Sequence, residues 1–125
     1  DTMAEIIGYF QQNVIDLLEL NDISCGTPIF LGESNIEHMK NRHPYEFDKY
    51  FPDIREIINN PDYVGQNPKD LSISFVKEYL ISSEYVRVAV RITSSGKCFA
   101  KSLHALSSYN ADRYITHGTL KKLDK

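Results

Sequence analysis

The chain is expected to fold as an α+β domain, with N-terminal helices packed on a four-stranded antiparallel sheet. Two features of the sequence carry that expectation. Before residue 61 the apolar residues recur mainly at helical spacing, and from Tyr63 onward they alternate with polar ones. The change falls at Asn59-Asn60-Pro61-Asp62, residues that stop helices and build turns. A length of 125 residues suits one domain able to bury a real core. The first residue is Asp1 rather than Met, so the chain reads as a single domain, core at about 14–123, excised from something longer.

Residues 3–20 place Ile6, Ile7, Phe10, Val14, Leu17 and Leu18 on a helical stripe that has room to break near Gln11–Asn13. Asn21–Gly26 is a loop, and Thr27–Leu31 a short apolar strand ended by Gly32. The stretch Ser34–Pro44, SNIEHMKNRHP, reads as a helix carrying two of the four histidines. Ser34 or Asn35 would cap it, with Glu37 closing a capping box, and Pro44 pushes His43 out of helical geometry. Ile36, Met39 and His43 share one stripe, while His38 falls about 140° around from His43. His43 therefore looks inward, as an acid/base or as a packed structural histidine. Phe47, Phe51, Ile54 and Ile58 continue a helical pattern, with Pro52 predicting a kink or a fresh start inside it.

Tyr63–Gln66 could be a brief strand, and Leu71–Leu80, Tyr85–Thr93 and Lys97–Leu106 are three strands of an antiparallel meander. Ser94-Ser95-Gly96 suits a three-residue hairpin. Tyr109–His117 reads as a last short helix stopped by Gly118. Val86, Val88, Val90 and Ile92 should face the helices, and Arg87, Ala89, Arg91 and Thr93 the other way. If Thr93 pairs with Lys97, Arg91 falls opposite Phe99 and Ala89 opposite Lys101. Arg87, Arg91, Lys97 and Lys101 then share the non-core face, and His104, opposite Val86, lies on the packed side. A basic sheet face can seat a phosphodiester backbone, or it can simply be solvated.

The formal net charge of −3 argues against a surface that coats nucleic acid broadly. Lys and Arg nevertheless concentrate after Tyr85, and acidic residues between Glu33 and Asp70, which leaves room for a local basic groove. No apolar run approaches a membrane span. Cys25 and Cys98 fit no metal spacing and read as free thiols, with a disulfide as the alternative. There is no HExxH, CxxC, P-loop or GxGxxG. His38 and His43 are poorly spaced to share a metal, so no metal and no cofactor is expected.

What this equipment could run is metal-free acid–base chemistry by histidine, with Lys or Arg receiving developing negative charge. RNA cleavage fits, because RNA supplies its own nucleophile, the 2′-hydroxyl. Lys77, inside an apolar strand, contacts substrate or marks an edge strand. His117 reads as a cation at a helix end. Tyr109 and Tyr114 stack bases or pack the last helix.

The ordered series GTPIFLGESNIEHMKNRHP, PDYVG, LSISFVK, VRVAVRIT, GKCFAKSL and GTLKKL resembles a branch of the phage-associated Barnase–EndoU–Colicin–RelE nuclease class. Domains of that class occur in phage-related proteins and as C-terminal modules of bacterial polymorphic toxins. The resemblance implies the helices-on-sheet fold and metal-independent ribonuclease activity. Carried over by position, it puts His43 and Lys101 in the site, and more loosely His38, Arg91 and the hydroxyl of Ser102. The register above sets Ser102 on the core face, so it joins Lys101 in one cleft only if a bulge intervenes.

The expectation is thus a metal-independent endoribonuclease of toxin or phage origin. Its catalytic set is His43, Lys101, Arg91, His38 and Ser102, and Arg87, Lys97 and Lys77 bind substrate. RNA, with tRNA among the candidates, would be the partner, together with a cognate immunity protein if the domain is a toxin. No membrane is implied. The site of action would be cytoplasmic, reached by secretion or delivery into target cells if this is a toxin module. The alternatives are a non-catalytic module that binds RNA or protein, and a phage structural domain with a decayed site.

Overall fold

The computed structural model describes residues 4–125. In chain order it contains β1 (Glu5–Tyr9), α1 (Gln12–Leu18), β2 (Pro28–Leu31), α2 (Glu33–Arg42), α3 (Pro44–Tyr50), a 3₁₀ turn (Phe51–Asp53) and α4 (Ile54–Asn59). There follow β3 (Tyr63–Gln66), β4 (Ile73–Tyr79), β5 (Glu84–Ile92), β6 (Cys98–Leu106), α5 (Ser108–Thr116) and β7 (Lys121–Lys122). The expected meander β3-β4-β5-β6 is the centre of the sheet. The sheet itself has seven strands, in the order β1-β2-β6-β5-β4-β3-β7. The expected four were too few because β1 carries a helical period in the sequence, the strand expected at Thr27–Leu31 was not placed in the sheet, and β7 is a two-residue edge pairing. Of these, β2 runs parallel to β6 and touches it only at Ile29↔Cys98 and Phe30↔Phe99.

The helical stripe expected over residues 3–20 is a strand followed by a short helix. Ile6-Ile7-Gly8 suits a strand, since β-branched residues and glycine are poor helix formers. A register shift between Ile6 and Gly8 interrupts the alternation. Ile7 and Phe10 both enter the core, three positions apart as on a helix, which is why the strand reads as helical in the sequence. Met3, the first position of that expected helix, lies outside the described residues.

Val86, Val88 and Val90 are fully buried against the helical layer, where Val14, Met39, Ile54, Ile57 and Ile58 meet them. Fully burying each such side chain contributes roughly 1.5–3 kcal/mol. Ile92, expected in the same row, is only half-buried at its rim. Helix α5, capped by the Ser107 hydroxyl accepting from the Asn110 N–H, covers part of the opposite face. There Val76, Leu106, Ala111 and Leu120 form a second, smaller core with Tyr63, Tyr85 and Tyr114 around it. Cys25 is exposed and Cys98 buried, and both are free thiols.

Helix α2 begins one residue earlier than the Ser34 reading implies. Gly32 is its N-cap, and the Asn35 side chain, rather than Glu37, returns to accept the Gly32 N–H at 2.9 Å. His43 ends α2 and caps α3 outside helical geometry, at φ −139° and ψ 68°. Pro44 disfavours the helical region for His43 and starts α3 at no cost in hydrogen bonds, since a helix's first N–H groups have no partner. Pro52 falls in the 3₁₀ turn, giving the fresh start expected before α4.

The hairpin of β5 and β6 contains the feature that decides the site. It starts as expected, with the Thr93 N–H bonded to the Lys97 carbonyl and Arg91 opposite Phe99. Between Val90↔Ala100 and Ala89↔Ser102 the register slips by one residue, and Lys101 is the extra one. A one-residue slip turns every later side chain to the other face. Ser102 therefore joins the Arg87 and Arg91 face, and His104 pairs with Arg87 rather than Val86. Both corrections to the expected register come from that bulge.

Gly65 on β3 faces the C-terminal segment at close range, where an added methyl group would lie 2.1 Å from the Thr119 carbonyl oxygen. Backbone cannot retreat as a side chain can. Gly65→Ala is expected to lower stability by about 1–3 kcal/mol, read as a lower urea midpoint.

Candidate active site

The parallel pairing of β2 with β6 stops at Phe30↔Phe99, and at Gly32 the chain turns into α2, which packs along β6. Between them lies an open cleft of about 450 Å³. One wall is the face of α2 that carries Asn35, His38, Met39, Arg42 and His43. The other wall holds Arg91, Lys101, Ser102, Leu103 and His104. The five residues expected to be catalytic all line this one cleft.

His38 was expected to point away from His43. Because His43 leaves helical geometry, the 140° separation does not hold for it, and the two share the wall. The His43 side chain is 38% exposed, with Nδ1 3.5 Å from the Glu46 carboxylate. Its ring stacks on that of His104, centroids 5.2 Å apart. Arg91 and Arg42 are exposed and form no ion pair among the described residues. Lys101 instead pairs with Asp70, Nζ to Oδ2 3.0 Å, from the turn before β4. The Ser72 backbone N–H and hydroxyl, and then Lys101, hold the Asp70 carboxyl well below the usual carboxylate range. Asp70 is therefore an anchor for Lys101 and no proton donor.

His104 is the site residue that the sequence reading missed, having been assigned to the packed side. Its Nε2 lies 3.1 Å from Arg87 Nη2. A guanidinium only donates, so His104 Nε2 accepts and the ring carries its proton on Nδ1. Burial, then the charges of Arg87 and His43, push its pKa down to about 4. At neutral pH it is a neutral plate behind His43. His104 Nδ1 and Arg87 Nε are buried without hydrogen-bond partners. Arg42 and Asn35 were also missed. Arg42 lies within the RHP motif itself, four residues after His38, and that spacing was the signal for it.

Arg87 stands behind the cleft, reaching it through His104. Lys97 and Lys77 stand outside it. The Lys97 ammonium sits 4.6 Å over the Phe30 ring and 5.7 Å from that of Phe99. Lys77 is on the helix side of the sheet, bonded to the Asn60 carbonyl at 3.3 Å and 3.8 Å from Glu56, so it ties α4 to β4. Its burial in an apolar strand reflects that tie. His117 is exposed at the end of α5. Among the described residues no three His, Cys, Asp or Glu side chains converge as metal ligands would, and no helix is long and apolar enough to cross a membrane.

A helix-packed, mainly antiparallel sheet whose bulged strand and adjoining helix bring histidines and cations into one cleft fits a nuclease of the Barnase–EndoU–Colicin–RelE type. The family model described as phage-Barnase-EndoU-ColicinE5/D-RelE like nuclease3 matches residues 5–113, and the chain belongs to that family. The match takes in β1, which lies ahead of the core expected at about 14–123, and stops within α5, short of that core's expected end. It makes nucleic acid the implied substrate. No curated protein and no solved structure matches the chain.

Proposed function

We propose that this nuclease domain is a metal-independent endoribonuclease. The observation that carries the reading is the convergence of the His43 imidazole with the cations of Arg91, Lys101 and Arg42 in one open cleft. His43 takes the proton of the 2′-hydroxyl, whose oxygen then attacks the adjacent phosphorus. Lys101 and Arg91 neutralise the charge that builds on the phosphorane oxygens, and the Ser102 hydroxyl can donate to one of them. The bond from phosphorus to the 5′-oxygen breaks, and the leaving oxygen takes a proton from His38 or from water. The products are a 2′,3′-cyclic phosphate and a free 5′-hydroxyl. General acid–base transfer of this kind is worth roughly 10²–10⁴-fold per group, and preorganised cations add an electrostatic share.

In this reading the domain is a toxin or phage-derived module that acts on cytoplasmic RNA, tRNA among the candidates, and a toxin would require an immunity protein in the producing cell. Incubating the domain with total RNA and with DNA in the presence of EDTA tests the chemistry. RNA fragments ending in 2′,3′-cyclic phosphate, with DNA intact and EDTA without effect, are expected. Cleavage that stops on chelation and returns with a divalent ion would replace histidine catalysis by a metal mechanism. Binding without any cleavage would favour the non-catalytic module.

A further inference from the structure

A second recess, of about 350 Å³, opens on the same side of the sheet as the cleft. Its walls include Arg87 of β5, Tyr114 of α5, Ser74 of β4, Gln66 at the end of β3, and Pro68 and Lys69 of the turn after it. It is continuous in register with the catalytic wall. Ser102, Ala89, Ser74 and Gly65 are successive cross-strand partners from β6 to β3, a row of small residues, three of them buried, that runs from the lining of one recess to that of the other. Strands stand about 4.8 Å apart, so the row spans roughly 14 Å, on the scale of a nucleotide or two of extended strand.

The chemistry of the recess matches that of such a neighbour. Arg87 lines the recess and commits one of its five N–H donors, on Nη2, to His104. An unspent guanidinium donor at a pocket wall is satisfied by an oxygen-rich ligand. Lys69 is exposed at the mouth and forms no ion pair among the described residues. Tyr114, half-buried, offers an aromatic surface. Asp70, the nearby carboxylate, is already occupied by Ser72 and Lys101.

We infer that this recess seats a nucleotide flanking the scissile phosphate, its phosphate held by Lys69 and Arg87 and its base stacked on Tyr114. The inference rests on the ribonuclease reading for the identity of the strand, and it names where the strand continues beyond the cleft. The test uses uncleavable 2′-O-methyl oligoribonucleotides of two and five nucleotides, titrated by fluorescence anisotropy. The wild-type domain should bind the pentamer more tightly than the dimer. Lys69→Ala and Tyr114→Ala should each weaken the pentamer roughly 10-fold and leave the dimer unchanged, as loss of one stacked or charge-paired nucleotide does. Tyr114→Phe, which keeps the ring and the packing of α5, should behave as wild type. Equal wild-type affinity for the two lengths overturns the inference, and so does a Lys69→Ala protein with undiminished length dependence. Length-dependent binding by a domain that cuts no RNA would overturn the ribonuclease reading and leave the subsite standing.

Discussion

His43→Ala is expected to lose about 10²–10⁴-fold in turnover, the usual cost of removing a general acid–base group, while the fold persists. The fold should survive because the ring is more than a third exposed. The capping role of His43 is a backbone one, with its N–H bonded to the Met39 carbonyl and its own carbonyl accepting from Phe47. Alanine keeps both bonds, and Pro44 still enforces the break between α2 and α3. The loss should therefore appear in kcat on a short RNA with the urea midpoint almost unmoved. Lys101→Ala should raise KM as well and weaken binding most at low salt. It removes a cation from the cleft and leaves the Asp70 carboxylate uncompensated beside it. A His43→Ala protein within a few-fold of wild type would take His43 out of the chemistry. His38, on the same wall, would then be the group to test, since His104 has its accepting Nε2 committed to Arg87 and His117 does not line the cleft.

The wall of the cleft was legible in the sequence wherever local chemistry dictates it. Pro44 alone fixes where α2 ends and what conformation His43 adopts, and the alternation of Val86, Val88 and Val90 fixes which way Arg87 and Arg91 point. The basic face follows from those few residues. His104 was not legible, because its orientation depends on a single extra residue in β6. Nothing in Phe99-Ala100-Lys101-Ser102 signals a bulge by composition. The conflict between Lys101 and Ser102, which a regular ladder would set on opposite faces, was the one clue. The edge strands were hidden for a different reason. β1 and β7 are held by pairing with strands distant in sequence, and the bulge at Ile7 gave β1 a false helical period. Lys77 and Lys97 lie outside the cleft, and a cation on a strand says nothing about whether its ammonium reaches a substrate, a carbonyl or an aromatic ring.

Stability should fall as pH drops from about 6.5 to 4, and one residue should account for a separable part of the fall. His104 is neutral in the folded chain down to about pH 4, whereas in the unfolded chain an imidazole takes its proton near 6.5. Above pH 6.5 both states carry neutral His104 and it makes no difference to the balance. Between 6.5 and 4 the unfolded chain binds a proton that the folded chain refuses, so the unfolded state gains. A difference of about 2.5 pKa units corresponds to at most about 3 kcal/mol by pH 4, after which the effect levels off. The cause is local: protonation would set a cation at 3.1 Å from Arg87 Nη2, which donates to the nitrogen concerned, in a site largely closed to water. His104→Gln keeps an oxygen able to accept from Arg87 and removes the titration. Asp62, Asp70 and Glu84, whose lowered pKa values also withdraw stability in acid, are common to both proteins and cancel in the comparison. Urea unfolding at pH 7 and at pH 4.5 should therefore show wild type losing more than His104→Gln by on the order of 2 kcal/mol. The His104 ring resonances should stay in their neutral position through pH 5. A ring that titrates near 6.5, or two proteins with the same acid dependence, would mean that Arg87 does not hold His104 neutral and that both imidazoles of the stacked pair are free to take part in proton transfer.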